Sequence, residues 1–242
     1  MTEPPIMATN TSLQNVVLSS IPARELKRLG PNLESVSLTF GEILYQPGDR
    51  ISHVYFPTNC LISLLTVVDK RRSLEVGMVG NEGMAGMPFI LGVGVSGVRA
   101  LVQGGGAALR MEAASFRTEF GRNHGLQQAL HRYTYALMAQ ISQTAACNRF
   151  HGAEQRLARW LLMTRDRVHS ERFALTHAFL AHMLGLRREG VTEAASALKR
   201  RGLIEYTRGQ IRINSSRGLA AASCSCYEIV NQVFRRAQIR VN

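Results

Sequence analysis

The segment from 175 to 213 constrains the fold most, because its residue spacing is typical of a helix-turn-helix followed by a β-hairpin. Ala181 is small enough to let two helices cross closely, and Gly185 can adopt the left-handed backbone that a short turn between helices requires. Val191 and Leu198 recur at helical spacing, so they predict that the second helix is buried against the first. Few helix pairs combine all of these features, and the segment therefore predicts a DNA-binding module.

The second helix of this segment carries long polar side chains on the face opposite its apolar residues. An arginine near the helix start, Arg188, can contact guanine O6 and N7 in the major groove, and Glu189 can accept a hydrogen bond from cytosine N4. An ordinary solvated helix face is the alternative, but the buried pattern and the turn glycine favour DNA recognition. The side chains that we expect at the DNA are Thr176, His177, Arg187, Arg188, Glu189, Thr192, Glu193, Ser196, Lys199 and Arg208.

Residues 203–213 alternate apolar and polar side chains around Arg208 and Gly209. This pattern predicts a short hairpin with a glycine turn, which would form the wing of a winged helix. An arginine at the tip of a wing can reach a phosphate and position the protein without reading the base sequence. A plain exposed turn arginine is an equal alternative for Arg208.

Basic residues are concentrated in the second half of the chain. The 242 residues include 29 Lys and Arg against 17 Asp and Glu, and residues 149–242 hold 17 of the basic and 7 of the acidic ones. Phosphate neutralisation supplies most nonspecific affinity for DNA, so this excess indicates double-stranded DNA as the partner. We expect no membrane association and a cytoplasmic location, because the sequence has no long apolar stretch or signal-peptide pattern.

The length and the 45% hydrophobic fraction allow two compact domains with separate cores. The four cysteines do not suggest a disulfide scaffold: Cys60 and Cys147 are isolated, and Cys224 and Cys226 form a C-x-C pair without a second ligand pair nearby in the sequence. Packing, or free thiols in a reducing compartment, is favoured over metal binding. The sequence therefore predicts no metal site and no cofactor.

Residues 35–121 differ in character from the DNA module. Short runs rich in Val, Ile, Leu and Tyr alternate with glycine and proline, which predicts an antiparallel barrel or roll. Residues 1–34 are expected to form an N-terminal tail with one short helix at 23–29. The chain thus begins with a tail and a β-roll sensor domain.

A continuous helix is predicted within 122–150, since 125–148 has no glycine or proline after its first residue. Its apolar residues recur at spacings of four and three, which is typical of a seam between two helices and predicts a homodimer. Packing of this stripe on its own roll is the alternative. The predicted seam consists of Leu126, Leu130, Tyr133, Leu137 and Ile141.

The remaining boundaries follow from the same patterns. His151 and Gly152 form the expected hinge, and the winged helix-turn-helix domain is placed at 151–217. Residues 218–242 are expected to form a C-terminal helical extension that caps the winged helix.

Three segments together resemble the catabolite activator/fumarate-nitrate regulator (CRP/FNR) family: EQRLARWLL at 154–162, GLRREGVTEAASALKRRGLI at 185–204 and GEILYQPGD at 41–49. The resemblance implies an α+β fold with an N-terminal cyclic-nucleotide-binding-like β-roll, a long dimerisation helix and a C-terminal winged helix-turn-helix. It also implies that Arg188 and Glu189 read bases. Glu193 stands where many members have arginine, which leaves the operator sequence open.

The sensing site departs from the cyclic-AMP-binding members, which carry a G-E-L segment followed by R-S. Here Gly86 is followed by Met87, and only Arg99 remains as a phosphate partner. Because methionine cannot accept a ribose hydroxyl, cyclic AMP is not favoured, and Gly86, Met87 and Arg99 are candidates for an unidentified small-molecule effector. No cysteine precedes Cys60, which disfavours an iron-sulfur sensor, while histidines leave haem open as an alternative.

These observations favour a dimeric DNA-binding transcription regulator of a pseudo-palindromic promoter site. Contact with RNA polymerase, and activation over repression, follow from the resemblance alone. A cyclic-nucleotide-responsive regulator is one alternative. A metal-dependent cupin-like enzyme is a weaker one, because its site needs clustered ligands and the roll has only His53. No catalytic residue is predicted.

Overall fold

The computed structural model describes residues 15–69, 72–207 and 209–241. Residues 1–14 of the predicted tail and Arg208 lie outside these ranges. The N-terminal part contains helices α1 (Val16–Ser19) and α2 (Ala23–Leu29), and strands β1 (Glu34–Leu38), β2 (Ile43–Tyr45), β3 (His53–Pro57), β4 (Leu61–Val67), β5 (Ser73–Val79), β6 (Arg99–Gly104) and β7 (Gly106–Glu112).

The seven strands form the predicted antiparallel roll. One sheet has the order β1-β7-β3 and the other the order β2-β6-β4-β5. Side chains from both sheets fill the space between them, and Phe56, Leu61, Ile62 and Leu65 are fully buried. Short 3-10 helices lie at Gly30–Asn32 and Met87–Leu91, the second between β5 and β6.

Two helices leave the roll, α3 (Ala113–Arg122) and the 27-residue α4 (His124–Phe150). The Asn123 side chain caps α4 by accepting a hydrogen bond from the Leu126 backbone N–H at 2.8 Å. This cap satisfies a helix N–H that would otherwise lack a partner. The prediction of one long helix between the roll and the DNA module is confirmed.

The C-terminal part is a winged helix with a helical extension. It contains α5 (Ala153–Val168), β8 (Arg172–Ala174), α6 (His177–Leu184), α7 (Arg188–Arg200), β9 (Ile204–Thr207), β10 (Gln210–Ile213), α8 (Ser216–Ala222) and α9 (Cys226–Arg236). The three strands form an antiparallel sheet in the order β8-β10-β9. No helix in the described ranges has the length and apolar character needed to span a membrane.

The predicted seam of α4 faces its own roll, which corrects the dimer assignment made from the sequence. Leu126, Leu130, Tyr133 and Leu137 are fully buried within the single chain, and Ile141 is half-buried against the same core. Apolar residues at spacings of four and three lie on one side of a helix, whatever packs against that side. Here the roll of the same chain packs against it. The alternative that the stripe packs on its own roll therefore holds.

Glycines on the surface of the roll allow α4 to pack closely against it. A Cβ atom built at Gly83 would lie 2.1 Å from the ring of Tyr133, and one at Gly77 would lie 3.4 Å from both Leu137 and Ile141. A side chain at position 83 would therefore push α4 away from the roll.

The expectation of two separate cores also needs correction. The buried apolar side chains of the roll and the DNA module form one continuous cluster, because α5 and α6 pack directly on the roll. Leu74 of β5 lies against Gly185, where a Cβ atom would be 2.5 Å from the Leu74 Cδ1. The buried Arg167 of α5 donates from Nε to Glu82 Oε1 at 2.8 Å. The DNA module is thus docked on the roll.

A second buried polar link between roll and DNA module is centred on Glu75. The indole N–H of Trp160 donates to Glu75 Oε1 at 2.8 Å, and Ser63 Oγ lies 2.6 Å from Glu75 Oε2 and 2.5 Å from Gln103 Oε1. One hydroxyl proton can serve only one of these two acceptors, and a protonated Glu75 would supply the second proton. Burial raises the pKa of Glu75 to about 7, consistent with this arrangement.

Candidate nucleic-acid interface

The turn of the helix-turn-helix forms as the sequence predicts. Thr176 caps α6, its hydroxyl accepting a hydrogen bond from the Phe179 backbone N–H at 3.1 Å. Gly185 ends α6 with a φ of +60° and a ψ of 39°, the left-handed conformation that glycine adopts without strain. Arg187 is extended, and α7 begins at the next residue. These features fix the angle at which α7 leaves the turn.

Helix α7 buries one face and exposes the other. Val191, Ala194, Ala195 and Leu198 are buried, as predicted. Ser196 is half-buried, and the remaining predicted contact residues of the helix are exposed: Arg188, Glu189, Thr192, Glu193 and Lys199. The structure therefore gathers the sequence-predicted side chains on one exposed surface.

The start of α7 carries side chains that are free to meet a ligand. Arg187, Arg188 and Glu189 are exposed, and within the part of the chain that the structure describes none of them has a side-chain hydrogen bond or an ion pair. Glu193, one turn further along, is in the same state. Side chains without internal partners can reorganise around base edges and phosphates at little cost.

His177, which the sequence places at the DNA, also makes contacts within the chain. Its ring stacks on Tyr206 of the wing, with the centroids 4.2 Å apart, and its Nδ1 lies 2.9 Å from Thr192 Oγ1. The Thr192 hydroxyl donates to the Arg188 carbonyl at 3.0 Å, so His177 Nδ1 is the donor in the first contact. Burial, and then the charge of Arg188, lower the pKa of His177. This neutral ring connects α6, α7 and the wing.

The wing forms the predicted hairpin, in which Gln210 pairs with Thr207 and Gly209 has a φ of +79°. Arg208, the predicted phosphate contact at its tip, is outside the described residues. Lys199 Nζ donates to the Tyr206 carbonyl at 3.3 Å, so Lys199 ties the end of α7 to β9. Sequence reasoning placed Tyr206 on the hairpin but missed its stacking role, since no spacing relates it to His177.

The candidate effector residues each have partners within the roll. Gly86 has a φ of +113° and precedes the 3-10 helix that starts at Met87, and a Cβ atom there would lie 2.7 Å from Val54 Cγ1. Met87 is half-buried against the roll core. Arg99, at the start of β6, donates from Nε to the Gln46 Oε1 at 2.7 Å. Arg99, the side chain predicted to bind an effector phosphate, is therefore held by the neutral amide of Gln46.

Helix α4 presents a second face that sequence reasoning passed over. Tyr135 and Met138 are 59% and 56% exposed in the single chain, which leaves two large, largely apolar side chains in water. Ser142 and Ala145 continue this face at spacings of four and three. The sequence contained this signal, but the stronger stripe of leucines masked it.

Comparison with known proteins agrees with this geometry. The family model of the Crp-like helix-turn-helix domain matches residues 155–222. FixK2 from Bradyrhizobium japonicum superimposes with a TM-score of 0.67 at 17% sequence identity, over 79% of this chain and 98% of FixK2. A CRP/FNR-family transcriptional regulator from Eubacterium rectale gives a TM-score of 0.65 at 16% identity, over 85% of this chain and 96% of its own.

A third similar structure is that of CLP, the c-di-GMP-responsive global regulator of Xanthomonas campestris, with a TM-score of 0.65 at 14% identity over 80% of this chain and all of CLP. No curated protein matches the chain in sequence. The arrangement of helices and strands after α4 is that of a winged helix. Residues 155–222 match the model of the Crp-like helix-turn-helix domain, and the chain has the same fold as solved CRP/FNR-family regulators, which confirms the resemblance.

Proposed function

We propose that the protein binds a two-fold symmetric promoter site as a homodimer and regulates transcription from it in the cytoplasm. The observation that carries this proposal is the start of α7, where Arg187, Arg188 and Glu189 are exposed and have no side-chain partner in the described part of the chain. These side chains project from the polar face of a helix whose other face is buried. Such a helix end fits the major groove of B-DNA.

Each residue at this surface has a distinct proposed role. Arg188 contacts a guanine through O6 and N7, and Glu189 accepts from a cytosine amino group. Arg187 contacts a phosphate next to the helix, and so does Arg208 at the wing. Helices α6 and α7 and strand β9 are held together by His177, Thr192 and Lys199. These three residues therefore keep α7 in the orientation that DNA recognition requires.

The dimer is proposed to form through the exposed face of α4, with a second copy of the chain as its partner. Tyr135, Met138, Ser142 and Ala145 repeat at spacings of four and three along that face, and the two smaller residues would let two helices approach closely. Burying Tyr135 and Met138 in the dimer would remove their exposed apolar surface from water. The two recognition helices would then address half-sites roughly 34 Å apart.

The regulatory consequence is proposed on the family resemblance. The dimer activates transcription by contact with RNA polymerase, and an unidentified small molecule controls it through the roll. No catalytic step is assigned to the chain. CLP is described as c-di-GMP-responsive, but Gly86, Met87 and Arg99 do not specify an effector class here.

Substitution of Arg188 tests the proposed readout. Arg188→Ala should weaken binding by about 1–3 kcal/mol at one symmetric base position and relax the preference there, because a bidentate contact is lost. Arg200→Ala, at the other end of α7, removes the same charge from an exposed position and is the matched control. Selection of bound sequences from a random library measures both. Equal, position-independent losses for the two variants would reject the proposed role of Arg188.

A further inference from the structure

Four side chains with metal-ligating atoms meet where α4 ends. They are Cys147, His151, Cys224 and Cys226, and one ligand atom from each lies within 4.8 Å of the others. The Sγ atoms of Cys147 and Cys224 are 3.5 Å apart, and so are Cys226 Sγ and His151 Nδ1. The three cysteines are buried as a cluster of their own, apart from the main core, and His151 is half-buried.

The two halves of this cluster come from distant parts of the sequence. Cys147 and His151 are one helical turn apart at the end of α4, while Cys224 and Cys226 precede and begin α9. Helix α9 packs along α4, which brings the C-x-C pair to the turn that carries the other two ligands. The sequence shows only the C-x-C pair, because the second pair lies 77 residues away from it.

We infer that these four side chains form a structural site for one Zn²⁺ ion, with a Cys3His ligand set. A tetrahedral zinc site with Zn–S of about 2.3 Å and Zn–N of about 2.0 Å has ligand-to-ligand edges of roughly 3.5–3.8 Å. The two distances of 3.5 Å match such edges. Thiolate and imidazole ligands at tetrahedral spacing are the set that zinc prefers, and four protein ligands leave no open position for catalysis.

Hydrogen bonds around the cluster are those that stabilise thiolates. Gln143 Nε2 donates to Cys226 Sγ at 3.1 Å, and the backbone N–H of Cys226 donates to the sulfur of Cys224. Donors to ligating atoms orient them and raise the affinity of a site for its metal.

Two buried arginines near the cluster independently favour a negatively charged group at this site. Arg156 and Arg159 of α5 are buried, and the Nε atom of each lacks a hydrogen-bond partner in the described part of the chain. Both act on Cys147 electrostatically, and Arg159 also faces Glu75. Their hydrogen bonds go to neutral acceptors: Arg159 donates to Thr144 Oγ1 at 2.9 Å and Arg156 to the Leu184 carbonyl. A zinc ion with three thiolates carries one net negative charge, which offsets buried cations.

The position of the site gives it a mechanical role. His151 directly precedes Gly152, at the junction between α4 and the winged helix, and Cys224 and Cys226 hold the start of α9. A bound ion would join the end of the long helix to the C-terminal extension. It would therefore set the position of the DNA module relative to α4, independently of any effector in the roll.

Metal analysis of the purified full-length protein tests this inference without DNA. We expect one zinc ion per chain by mass spectrometry of the metal content, and loss of that zinc in Cys224→Ser and Cys226→Ser. Cys60→Ser is the matched control, because Cys60 is buried in the roll away from the cluster, and it should keep its zinc. Cobalt added to the apoprotein should give the visible absorption of a tetrahedral thiolate complex.

Two further variants separate ligand loss from misfolding. His151→Cys should retain the ion, since it supplies a fourth thiolate, whereas His151→Ala should lose it. Gln143→Leu removes only the donor to Cys226 and should weaken zinc affinity about tenfold. Circular dichroism should show that the variants which retain zinc are folded.

Three results would overturn the inference. They are four free thiols with no metal retained at equimolar zinc, a Cys147–Cys224 disulfide found by peptide mapping, and equal zinc loss in Cys60→Ser. Because none of these measurements involves DNA, the zinc site and the proposed operator binding can fail separately. If the protein held zinc but bound no operator, the zinc site would stand and the proposed function would be rejected.

Discussion

Helices α7 and α4 are both amphipathic, but only α7 uses its two faces in the way its sequence predicts. In α7 one face is apolar and the other is charged, so burial of Val191 and Leu198 leaves Arg188 exposed. Helix α4 has apolar residues on two sides, with Leu130 and Leu137 on one and Tyr135 and Met138 on the other. The stronger stripe packs on the helix's own roll, and the weaker face is exposed in the single chain. When one helix has two apolar faces, the sequence alone does not show which of them packs on its own domain.

The largest expected effect comes from introducing acids on the two faces of α4. Leu130→Asp with Leu137→Asp places charges in the core of the roll and should destabilise the fold by more than about 4 kcal/mol. Tyr135→Asp with Met138→Asp places charges on the exposed face. This pair should leave a folded chain but prevent dimerisation, since like charges would meet across a two-fold axis.

Sedimentation and circular dichroism distinguish the two faces. If the Leu130 and Leu137 double variant gave folded monomers while the Tyr135 and Met138 double variant stayed dimeric, the assignment of the faces would be reversed. Operator binding by the folded monomers should lose most of its specific affinity, because the second half-site no longer contributes.

The contact between the roll and α5 should make stability depend on pH. Glu75 titrates at about 7 in the folded chain instead of 4.5, so folding favours its protonated form. This contribution is fully present below pH 4.5, decreases as the pH rises to 7, and is absent above that. The difference is up to about 3 kcal/mol. Urea unfolding of the protein and of Glu75→Gln between pH 5 and 8 measures it.

The Glu75→Gln variant is itself the control for that measurement. Its amide stays neutral, so its stability should not show this decrease with pH. Groups that face Glu75, namely Trp160, Arg159 and Arg167, remain in place in the variant. Parallel pH curves for the two proteins would mean that Glu75 is ionised throughout, and the hydrogen-bond assignment around Ser63 would be wrong.

A smaller effect is expected from the aromatic contact between α6 and the wing. Tyr206→Ala removes the ring that stacks on His177 and should cost about 1 kcal/mol of stability, with a similar loss of affinity for all DNA sequences. Tyr206→Phe keeps the ring and should behave as the unmodified protein does. Titration of specific and random DNA with each variant measures both effects. A loss restricted to one base position would instead place Tyr206 in direct base recognition.

Local sequence patterns predicted the features that depend on residues close together in the chain. They missed the contacts between residues that are far apart in the sequence. The left-handed Gly185, the buried face of α7 and the hairpin of β9 and β10 all follow from spacings within a few residues. The contact of Leu74 with Gly185, which joins the two cores, follows from no local period. The meeting of Cys147 with Cys224 is of the same kind. Both arise from packing of elements that the sequence does not place side by side.

The smallest expected effect is that of cyclic AMP, which should neither bind at micromolar concentration nor change operator affinity. Met87 offers no acceptor for a ribose hydroxyl, and Arg99 already donates to Gln46, so a bound nucleotide would leave polar groups unpaired at about 1–3 kcal/mol each. Calorimetry with cyclic AMP, followed by operator titration in its presence, measures both quantities. Micromolar binding with a clear rise in operator affinity would show that the roll senses cyclic nucleotides through other residues, and that Arg99 exchanges Gln46 for a phosphate.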